Sequence, residues 1–545
     1  MTLQMAKHPS MGTQGRTPVM VTRRPHAAAL IFYLGLGYSL HAQSAGLGRI
    51  VFPVSGPPEA QKRFTRGVLF LHSFEYLDAR EEFIAARTLA PNFAMAYWGE
   101  AMTYNEPVWF AQEPASARTA LSRLGATSAQ RRSKAPTERE KAYLNAVEIL
   151  YGQGTKEERD LAYAAAMRSI HQTYPKDLEA AAFYALALIG TCHHGRDFRT
   201  YMQAAAIAED IFAANPGHPG AIHYLIHCYD DPIHAPLGLR AARLYAAIAP
   251  QAAHARHMPA HIFFARGMWQ EAAAANEDAW NVSRANAARK GLPIEAGGYH
   301  ALWWLEYAYL QQGRYADAYR VLQTIGQIAV APLPPLLRFH LVHMRVMYSI
   351  ETGKPYQAGV DTSGLDMSAS GADLFASGMN ALNNGLREQA ERSLAALQPS
   401  TAPQSDHHRH LYPGDVQALQ IMEKELAALL HMADGKSGEA IELMKAAVAL
   451  EDKAVFESGP PLPPKPAHEL LGEILLQLGQ PNLARVQFEI SLTRSPKRAL
   501  SLLGLARSFA QSGNKAAARQ TYDELRKVWS AADPAILKAL DDSLR

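Results

Sequence analysis

The chain has 545 residues, a formal net charge of only +3 and 22 histidines. So small a charge on so long a chain argues against nucleic acid as the main partner, since proteins that bind nucleic acid present strongly basic surfaces. The two cysteines, Cys192 and Cys228, are too few for a disulfide-stabilised scaffold of this size. The chain is also too long for a single compact domain, unless it is an array in which each unit packs only against its neighbours.

The first 45 residues predict a secretory signal peptide. Two arginines precede an apolar run over residues 27–40, and small residues follow that run up to residue 45. The run has the length of a signal-peptide core and is too short to span a bilayer comfortably. We therefore expect an exported protein, periplasmic or secreted, with no transmembrane segment and with a linker over residues 46–60.

The segment after this linker carries a repeat. Small, aromatic, alanine and proline positions follow one another at Gly67, Phe70, Ala79, Phe83, Ala86 and Pro91. The same order returns at Gly472, Leu475, Ala484, Phe488 and Pro496, and again 34 residues later at Ala506, Phe509, Ala518 and Tyr522. This order and this period resemble the tetratricopeptide-repeat family.

The resemblance implies an all-α fold over residues 61–545, a solenoid of helical hairpins that coils into a right-handed superhelix with a concave groove. Small residues let the two helices of a hairpin approach closely, aromatic residues fill the remaining volume, and each proline stops a second helix. No segment shows the sustained period-two alternation of β-strands, which favours the same fold class. Further hairpins are predicted around Gly267, Gly313, Gly385 and Gly435.

Two irregular stretches interrupt the repeat. Residues 283–299 form an insertion before the predicted helix that contains Trp303 and Trp304. Residues 456–466 are rich in proline, which predicts a stiff, extended connector. We expect this connector to be a rigid loop that closes over the groove.

Histidines recur with the period of the repeat. His223 and His227 form one pair four residues apart, and His257 and His261 form a second pair 34 residues later. His193 lies 34 residues before His227, which predicts that it lies on the first helix of the preceding hairpin. In tetratricopeptide-type arrays the first helices line the concave face, so the resemblance implies that these side chains point into the groove.

Such an arrangement suits a transition metal. Histidines four apart on a helix have β-carbons about 5–6 Å apart, and neighbouring helices pack about 8–10 Å apart. Two imidazoles of a pair can therefore reach one ion, and a third can enter from the next repeat. We expect His223, His227, His257 and His261 to ligate Zn, Cu or Fe, because neutral imidazoles suit these ions.

Other polar residues lie near these pairs in the sequence. Asp230, Asp231 and His193 are the candidates for moving protons beside the metal. The remaining candidates for the binding groove are Arg196, Asp197, His218, His254 and His300. Arg196 also suits the recognition of a carboxylate or phosphate, although a pairing with Asp197 or Asp231 is equally open.

Three functions are compatible with these patterns. The first is a metalloenzyme that acts on a small molecule or peptide in the groove. The second is a metal-free scaffold that binds a peptide or a protein partner, and the third is metal storage or delivery. Glutamate is absent from the general-base position of the His-Glu-x-x-His motif, so zinc-peptidase chemistry of that kind is not expected.

Residues 223–227 and 257–263 resemble segments of a group of exported bacterial tetratricopeptide proteins. These segments are His-Tyr-Leu-Ile-His and His-Met-Pro-Ala-His-Ile-Phe. The resemblance supports the predicted fold and supplies no reaction, so the function depends on the site itself.

Overall fold

The computed structural model describes residues 46–293, 296–328, 333–355, 360–397, 413–456 and 458–543. The predicted signal peptide over residues 1–45 lies outside them. Within the described part of the chain, the regular structure is helical apart from one two-residue ribbon, which confirms the predicted all-α class. No helix in that part combines the length and the apolar character that crossing a bilayer requires.

The N-terminal third contains the first nine helices and the short ribbon. The helices are α1 Pro58–His72, α2 Tyr76–Leu89, α3 Ala94–Met102, α4 Pro114–Leu124, α5 Ser128–Ser133, α6 Glu138–Leu150, α7 Lys156–Thr173, α8 Leu178–Ile189 and α9 Phe198–Ala214. Strands β1 (Asn105–Glu106) and β2 (Ala111–Gln112) pair antiparallel, and a 3-10 turn over Pro107–Trp109 joins them.

The middle of the chain carries the paired histidines. Its helices are α10 Pro219–Cys228, α11 Ala235–Ile248, α12 Ala253–His257, α13 Pro259–Ala265, α14 Trp269–Arg289, α15 Tyr299–Gln311, α16 Tyr315–Ile328 and α17 Pro335–Thr352.

The C-terminal third completes the array. Its helices are α18 Met367–Asn383, α19 Arg387–Leu397, α20 Pro413–Ala433, α21 Ser437–Glu451, α22 Ala467–Gln477, α23 Pro481–Arg494, α24 Ala499–Gln511, α25 Lys515–Val528 and α26 Pro534–Ser543.

Successive helices pack against one another as hairpins, as a tetratricopeptide-type array requires. The clearest pairs are α1 with α2, α18 with α19, α20 with α21, α22 with α23 and α24 with α25. The predicted turns at Gly267, Gly313, Gly385 and Gly435 all carry positive φ, a backbone conformation that glycine adopts without steric cost. The hairpin solenoid predicted from the sequence is therefore the fold of the structure.

Two aromatic residues show how the repeat holds its hairpins together. Phe83 packs on Gly67 of its own hairpin and on Gly99 of the next helix. Phe488 packs in the same way on Gly472 and on Gly504. A Cβ added at Gly67 or Gly472 would lie 2.8 Å from the facing ring, so only glycine permits this approach. The small and aromatic positions of the repeat are thus two halves of one packing contact.

The segment expected to be a linker packs against the array. Leu47 is fully buried, and Phe52 contacts the rings of Phe64, Trp98 and Tyr143. The backbone N–H of Arg49 donates to the carbonyl of residue 217 at 2.8 Å. Helix α1 then begins at residue 58, where the first proline-containing turn starts.

The predicted insertion over residues 283–299 begins as helix. Helix α14 continues to Arg289, because alanine, asparagine and arginine in this stretch contain no helix breaker. A loop then leads to α15, and residues 294 and 295 of that loop lie outside the described residues.

Candidate metal centre

Helix α10 presents the first histidine pair. Its start is fixed by His218, whose Nδ1 accepts a hydrogen bond from the Ala221 N–H at 3.1 Å, and by Pro219 in the first turn. His223 and His227 follow one turn apart, and their Nε2 atoms lie 3.1 Å from each other. Both side chains are buried.

The second pair spans a break between two short helices. Pro259 has no N–H to continue the helical hydrogen bonds, so α12 ends at His257 and α13 begins at residue 259. The repeat predicted both histidines on one first helix, and the structure divides that helix at residue 258. The pairing survives the break, because His257 Nε2 and His261 Nε2 still lie 3.1 Å apart.

Each pair gains a third imidazole from elsewhere in the array. His254 Nε2 lies 3.2 Å from His223 Nε2. The ring centroids of His300 and His257 lie 4.8 Å apart. We call His223, His227 and His254 the first triad, and His257, His261 and His300 the second triad. Within each triad, one ligand atom per residue lies within 4.8 Å of the others.

A backbone carbonyl fixes the proton of His223. Its Nδ1 lies 2.7 Å from the carbonyl oxygen of His72, which can only accept a hydrogen bond. The hydrogen of a neutral His223 is therefore on Nδ1, and Nε2 carries a lone pair. That single lone pair faces both His227 Nε2 and His254 Nε2, although it can accept from only one of them.

The protons of the second pair are fixed more completely. His257 Nδ1 lies 2.6 Å from Asn276 Oδ1, and Asn276 Nδ2 donates to the Ala272 carbonyl at 2.9 Å, which sets the orientation of the amide. His261 Nδ1 lies 2.5 Å from Asp230 Oδ2. When both imidazoles are neutral, each donates through Nδ1, and the two Nε2 atoms, 3.1 Å apart, both carry a lone pair.

Burial favours the neutral form of five of these imidazoles, His223, His227, His254, His257 and His300. Desolvation, followed by the neighbouring histidines, lowers the pKa of His223 and of His227 well below the usual range. Desolvation and then His261 lower the pKa of His257 to about 3. The pKa of His254 and that of His300 fall well below the usual range for the same reasons. Neutral imidazole is the form that ligates a metal.

Asp230 lies between the two triads. Its Oδ2 accepts from His261, and ligand atoms of His227, Asp230 and His261 lie within 4.8 Å of one another. Its other oxygen, Oδ1, is buried and has no hydrogen-bond partner among the described residues. A buried carboxylate oxygen without a partner is costly unless a cation or a ligand proton approaches it.

Asp231 has a different role. Its Oδ1 accepts hydrogen bonds from the backbone N–H groups of Ile233 and His234, and its side chain also contacts the His234 imidazole. The Arg196 guanidinium lies 3.7 Å from Asp231 Oδ2. Asp231 therefore holds the turn after α10 and is not free to act beside the histidines.

His193 lies outside both triads. Helix α8 ends at Ile189, so His193 falls in the following turn, and its predicted place on a first helix was wrong. Its Nε2 contacts Asp160 Oδ2 at 2.8 Å, and its ring packs on Phe110. The 34-residue spacing is present in the sequence, but α8 ends before His193, so this residue is not on a helix equivalent to α10.

Two of the predicted groove residues hold helix ends. Asp197 is the N-cap of α9, where its carboxylate accepts from the Thr200 N–H at 3.0 Å. The Arg196 guanidinium donates to the carbonyls of His227 and Cys228 at 3.2 and 3.3 Å and so caps the C-terminus of α10. Arg196 also lines the cavity described below, whereas Asp197 does not.

His218 belongs to a separate buried cluster that the sequence did not reveal. His72 Nε2 lies 2.7 Å from Glu179 Oε2, and His218 Nε2 lies 3.2 Å from Glu179 Oε1. His72 Nδ1 faces the Tyr224 hydroxyl at 2.8 Å. All three members of the cluster are fully buried. No period or motif relates residues 72 and 179, so only the folded chain could bring them together.

This cluster places two imidazoles against one carboxylate, although Glu179 Oε1 and His218 Nε2 have no hydrogen-bond partner among the described residues. His218 Nδ1 accepts from Ala221, so its hydrogen is on Nε2 and faces a carboxylate oxygen. Burial by itself would raise the pKa of Glu179, but His218 and His72 outweigh it and lower the pKa to about 2. The cluster therefore combines hydrogen bonds of His72 with a close contact between His218 and the Glu179 carboxylate. Through the His72 carbonyl it also orients His223.

A cavity of about 630 Å³ opens beside the triads. On one side it is lined by His227, Asp230, His261 and His300. On the other side it is lined by residues of the proline-rich connector, Phe456, Ser458, Pro461, Leu462, Pro463 and Pro466. His223, His254 and His257 are not among the lining residues, so each triad reaches the cavity through only some of its members.

Solved structures similar to this chain share little sequence with it. The Cut9–Hcn1 hetero-tetramer of the APC/C matches at 11% identity over 89% of this chain and 76% of that chain, with a TM-score of 0.35. The human IFIT1 dimer with m7Gppp-AAAA matches at 13% identity over 90% and 93%, with a TM-score of 0.35. The P58(IPK) TPR domain matches at 12% identity over 83% and 98%, with a TM-score of 0.22. No protein-family model matches the chain, and neither does any curated protein.

Proposed function

We propose that the protein binds transition-metal ions in the two histidine triads and acts as a metal-dependent enzyme on a small molecule. The observation that carries this proposal is the convergence of the His257 and His261 Nε2 atoms, which lie 3.1 Å apart while each Nδ1 has an acceptor of its own. When both rings are neutral, each Nε2 carries a lone pair, and two lone pairs at this distance repel each other. A cation between them converts that repulsion into two bonds.

The spacing of the nitrogens supports a first-row metal. Zn–N bonds of about 2.0–2.1 Å in a tetrahedron place two nitrogen ligands about 3.3–3.4 Å apart. The Nε2 separations of 3.1 and 3.2 Å in the triads lie close to that value. Zn, Cu and Fe all accept imidazole ligands, and this donor set does not select one of them.

The Nδ1 partners support the same proposal. Histidines that ligate metals usually donate their other N–H to a carboxylate or a carbonyl, which orients the ring and strengthens the ligand. His223 has such a partner in the His72 carbonyl, and His257 has one in Asn276. His261 has one in Asp230. These three partners come from three different parts of the chain.

A catalytic role is favoured by the open side of the second triad. Three protein ligands with a free position distinguish catalytic zinc sites from structural ones, which have four. His261 and His300 line the cavity, so a small molecule there can approach this side. An ion held by the triad would supply Lewis-acid chemistry. Asp230 Oδ1 would accept a proton from the bound molecule.

The two alternative functions predict different properties. A metal-free scaffold would leave Asp230 Oδ1 without a partner at a buried site, which is costly. A storage or delivery protein would hold ions but would not need an open position beside a cavity. Both alternatives remain outcomes of the experiment below.

The test is elemental analysis of untagged protein purified from the exported fraction. We expect up to two transition-metal ions per chain, with one lost in a His223→Ala/His227→Ala variant and the other lost in a His257→Ala/His261→Ala variant. His431→Ala is the matched control, because the His431 imidazole pairs with Glu439 at 2.9 Å and belongs to neither triad. Wild-type protein without metal, and unable to take up Zn, Cu or Fe added in solution, would contradict the proposal.

A further inference from the structure

The cavity beside the triads has the size of a small-molecule site. Its volume of about 630 Å³ lies within the range of about 300–1,000 Å³ that is usual for such sites. We propose that it binds a small organic anion with a flat aromatic body, and that it places this molecule against the second triad and Asp230. This inference rests on the proposed function and names the ligand class of the same site.

Aromatic side chains supply the flat apolar surface. The cavity is lined by Trp109, Phe110, Tyr201, Trp303, Trp304 and Phe456. The Trp304 ring packs on the His261 ring with centroids 4.3 Å apart, so this aromatic wall continues directly into the second triad. A planar ligand stacked on the wall would therefore reach the histidines.

Hydrogen-bond donors without partners indicate a ligand with acceptor groups. The indole N–H groups of Trp303 and Trp304 are buried, and neither has a hydrogen-bond partner among the described residues. Trp304 is only 1% exposed, so water does not reach most of its side chain. An indole N–H can only donate, so a small shift of either ring toward the cavity would let a ligand oxygen accept from it.

The charged residues of the lining favour an anion. Three cations line the cavity, Arg196, Lys453 and Arg494. Of the two acidic residues, Glu451 already accepts hydrogen bonds from the N–H groups of residues 467 and 468 through both of its oxygens. The other, Asp230, has His261 as a partner. Arg196 lies 3.7 Å from Asp231, whereas Lys453 and Arg494 have no carboxylate partner among the described residues.

Arg494 is the best placed of these cations to hold a carboxylate. Its guanidinium lies 4.7 Å from the Phe456 ring centroid, and one nitrogen donates to the Ala454 carbonyl at 3.1 Å. These two contacts fix the plane of the guanidinium while other N–H groups remain available. A planar guanidinium with two free donors recognises a carboxylate through paired hydrogen bonds.

The experiment measures ligand binding by calorimetry on the untagged full chain. Three aromatic carboxylates, benzoate, 3-phenylpropionate and indole-3-acetate, are compared with their neutral primary amides. We expect at least one carboxylate to bind at least about tenfold more tightly than its amide, since a charge-assisted hydrogen bond contributes about that much. Arg494→Gln should remove this preference and leave the metal content unchanged. Arg485→Gln is the control, because Arg485 lies on the same helix and pairs with Glu489 at the surface.

Each outcome has a defined meaning. Equal affinity for carboxylates and amides, no binding of any of the six compounds, or preference only for a short peptide would overturn the inference. A carboxylate preference that survives Arg494→Gln would overturn it as well. Metal content is measured in the same samples. A protein that holds metal without preferring the anion therefore contradicts this inference alone, and one that prefers the anion without metal contradicts only the proposed function.

Discussion

His257 and His261 approach each other with their Nε2 atoms 3.1 Å apart, while each ring donates its hydrogen through Nδ1 to a separate acceptor. The acceptors, Asn276 and Asp230, come from helix α14 and from the turn after α10. Neither imidazole can turn its hydrogen toward the other without breaking a buried hydrogen bond. The fold therefore holds the two Nε2 ligand atoms close together and gives each ring an acceptor of its own at Nδ1.

Added metal should stabilise the protein. An ion that binds only the folded chain raises the free energy of unfolding by about 4 kcal/mol when its free concentration is a thousandfold above its dissociation constant. We expect the midpoint of thermal unfolding to rise on addition of Zn and to fall after treatment with a chelator, as followed by circular dichroism. The His257→Ala/His261→Ala variant should show a smaller rise. A midpoint that does not respond to metal in the wild type would contradict this prediction.

Asp230→Asn should weaken metal binding without unfolding the chain. Loss of a partner that orients a ligating histidine typically costs about 10–100-fold in metal affinity, and Asp230 also approaches the ligand atoms of His227 and His261. Competition with a chromogenic chelator measures this affinity. Asp231→Asn is the contrast, because Asp231 holds a turn. It should lower the unfolding midpoint and leave the metal affinity of the folded protein unchanged.

Glu179→Leu should destabilise the chain strongly. The substitution leaves His72 and His218 buried without their carboxylate, and breaking a buried pair in this way typically costs about 3–5 kcal/mol. Urea unfolding measures the loss. Glu157→Gln, which removes the exposed partner of His194, should change stability by less than about 0.5 kcal/mol. Equal effects of the two substitutions would argue against the buried network as a support of the fold.

Glu306→Gln should stabilise the protein at neutral pH. Glu306 is fully buried, and neither carboxyl oxygen has a hydrogen-bond partner among the described residues. Burial, and then Glu351, raise the pKa of Glu306 well above its usual 4.5. The unfolded chain therefore ionises at this residue while the folded chain does not, so its contribution to stability falls as pH rises above 4.5.

The gain in the free energy of unfolding from Glu306→Gln should therefore grow between pH 4.5 and 7. It should vanish below about pH 4, where Glu306 is protonated in both the folded and the unfolded chain. Chemical denaturation at a series of pH values measures it. Glu442→Gln is the control, because Glu442 is exposed and pairs only with Lys445. A gain that does not depend on pH would show that the effect comes from packing and not from ionisation.

Phe488→Ala should open a cavity between two hairpins. The Phe488 ring packs on both Gly472 and Gly504, and replacement of a buried phenylalanine by alanine typically costs about 3–5 kcal/mol. Leu483→Ala, on the exposed face of the same helix, should cost less than about 0.5 kcal/mol. Denaturant unfolding of both variants compares them directly. Similar losses would mean that the glycine–aromatic contact does not hold the hairpins together.

The paired histidines could be found from the sequence because the repeat itself specifies them. Positions 34 residues apart occupy equivalent places on successive hairpins, so His223 and His257 are equivalent, and so are His227 and His261. The same rule failed for His193, because α8 ends before that residue. The length of each helix depends on where the following turn begins and not on the 34-residue period.

The sequence by itself determined the helical-hairpin fold and the pairing of histidines on adjacent hairpins, because both follow from short-range periodicity. Only the tertiary structure decided which nitrogen of each ring faces its neighbour, since the partners that fix the protons, His72, Asn276 and Asp230, come from distant parts of the chain. The sequence predicted that the proline-rich connector closes over the groove, but only the tertiary structure decided which of its residues line the cavity. Contacts between residues so far apart depend on how the hairpins stack, and no local pattern in the sequence records that.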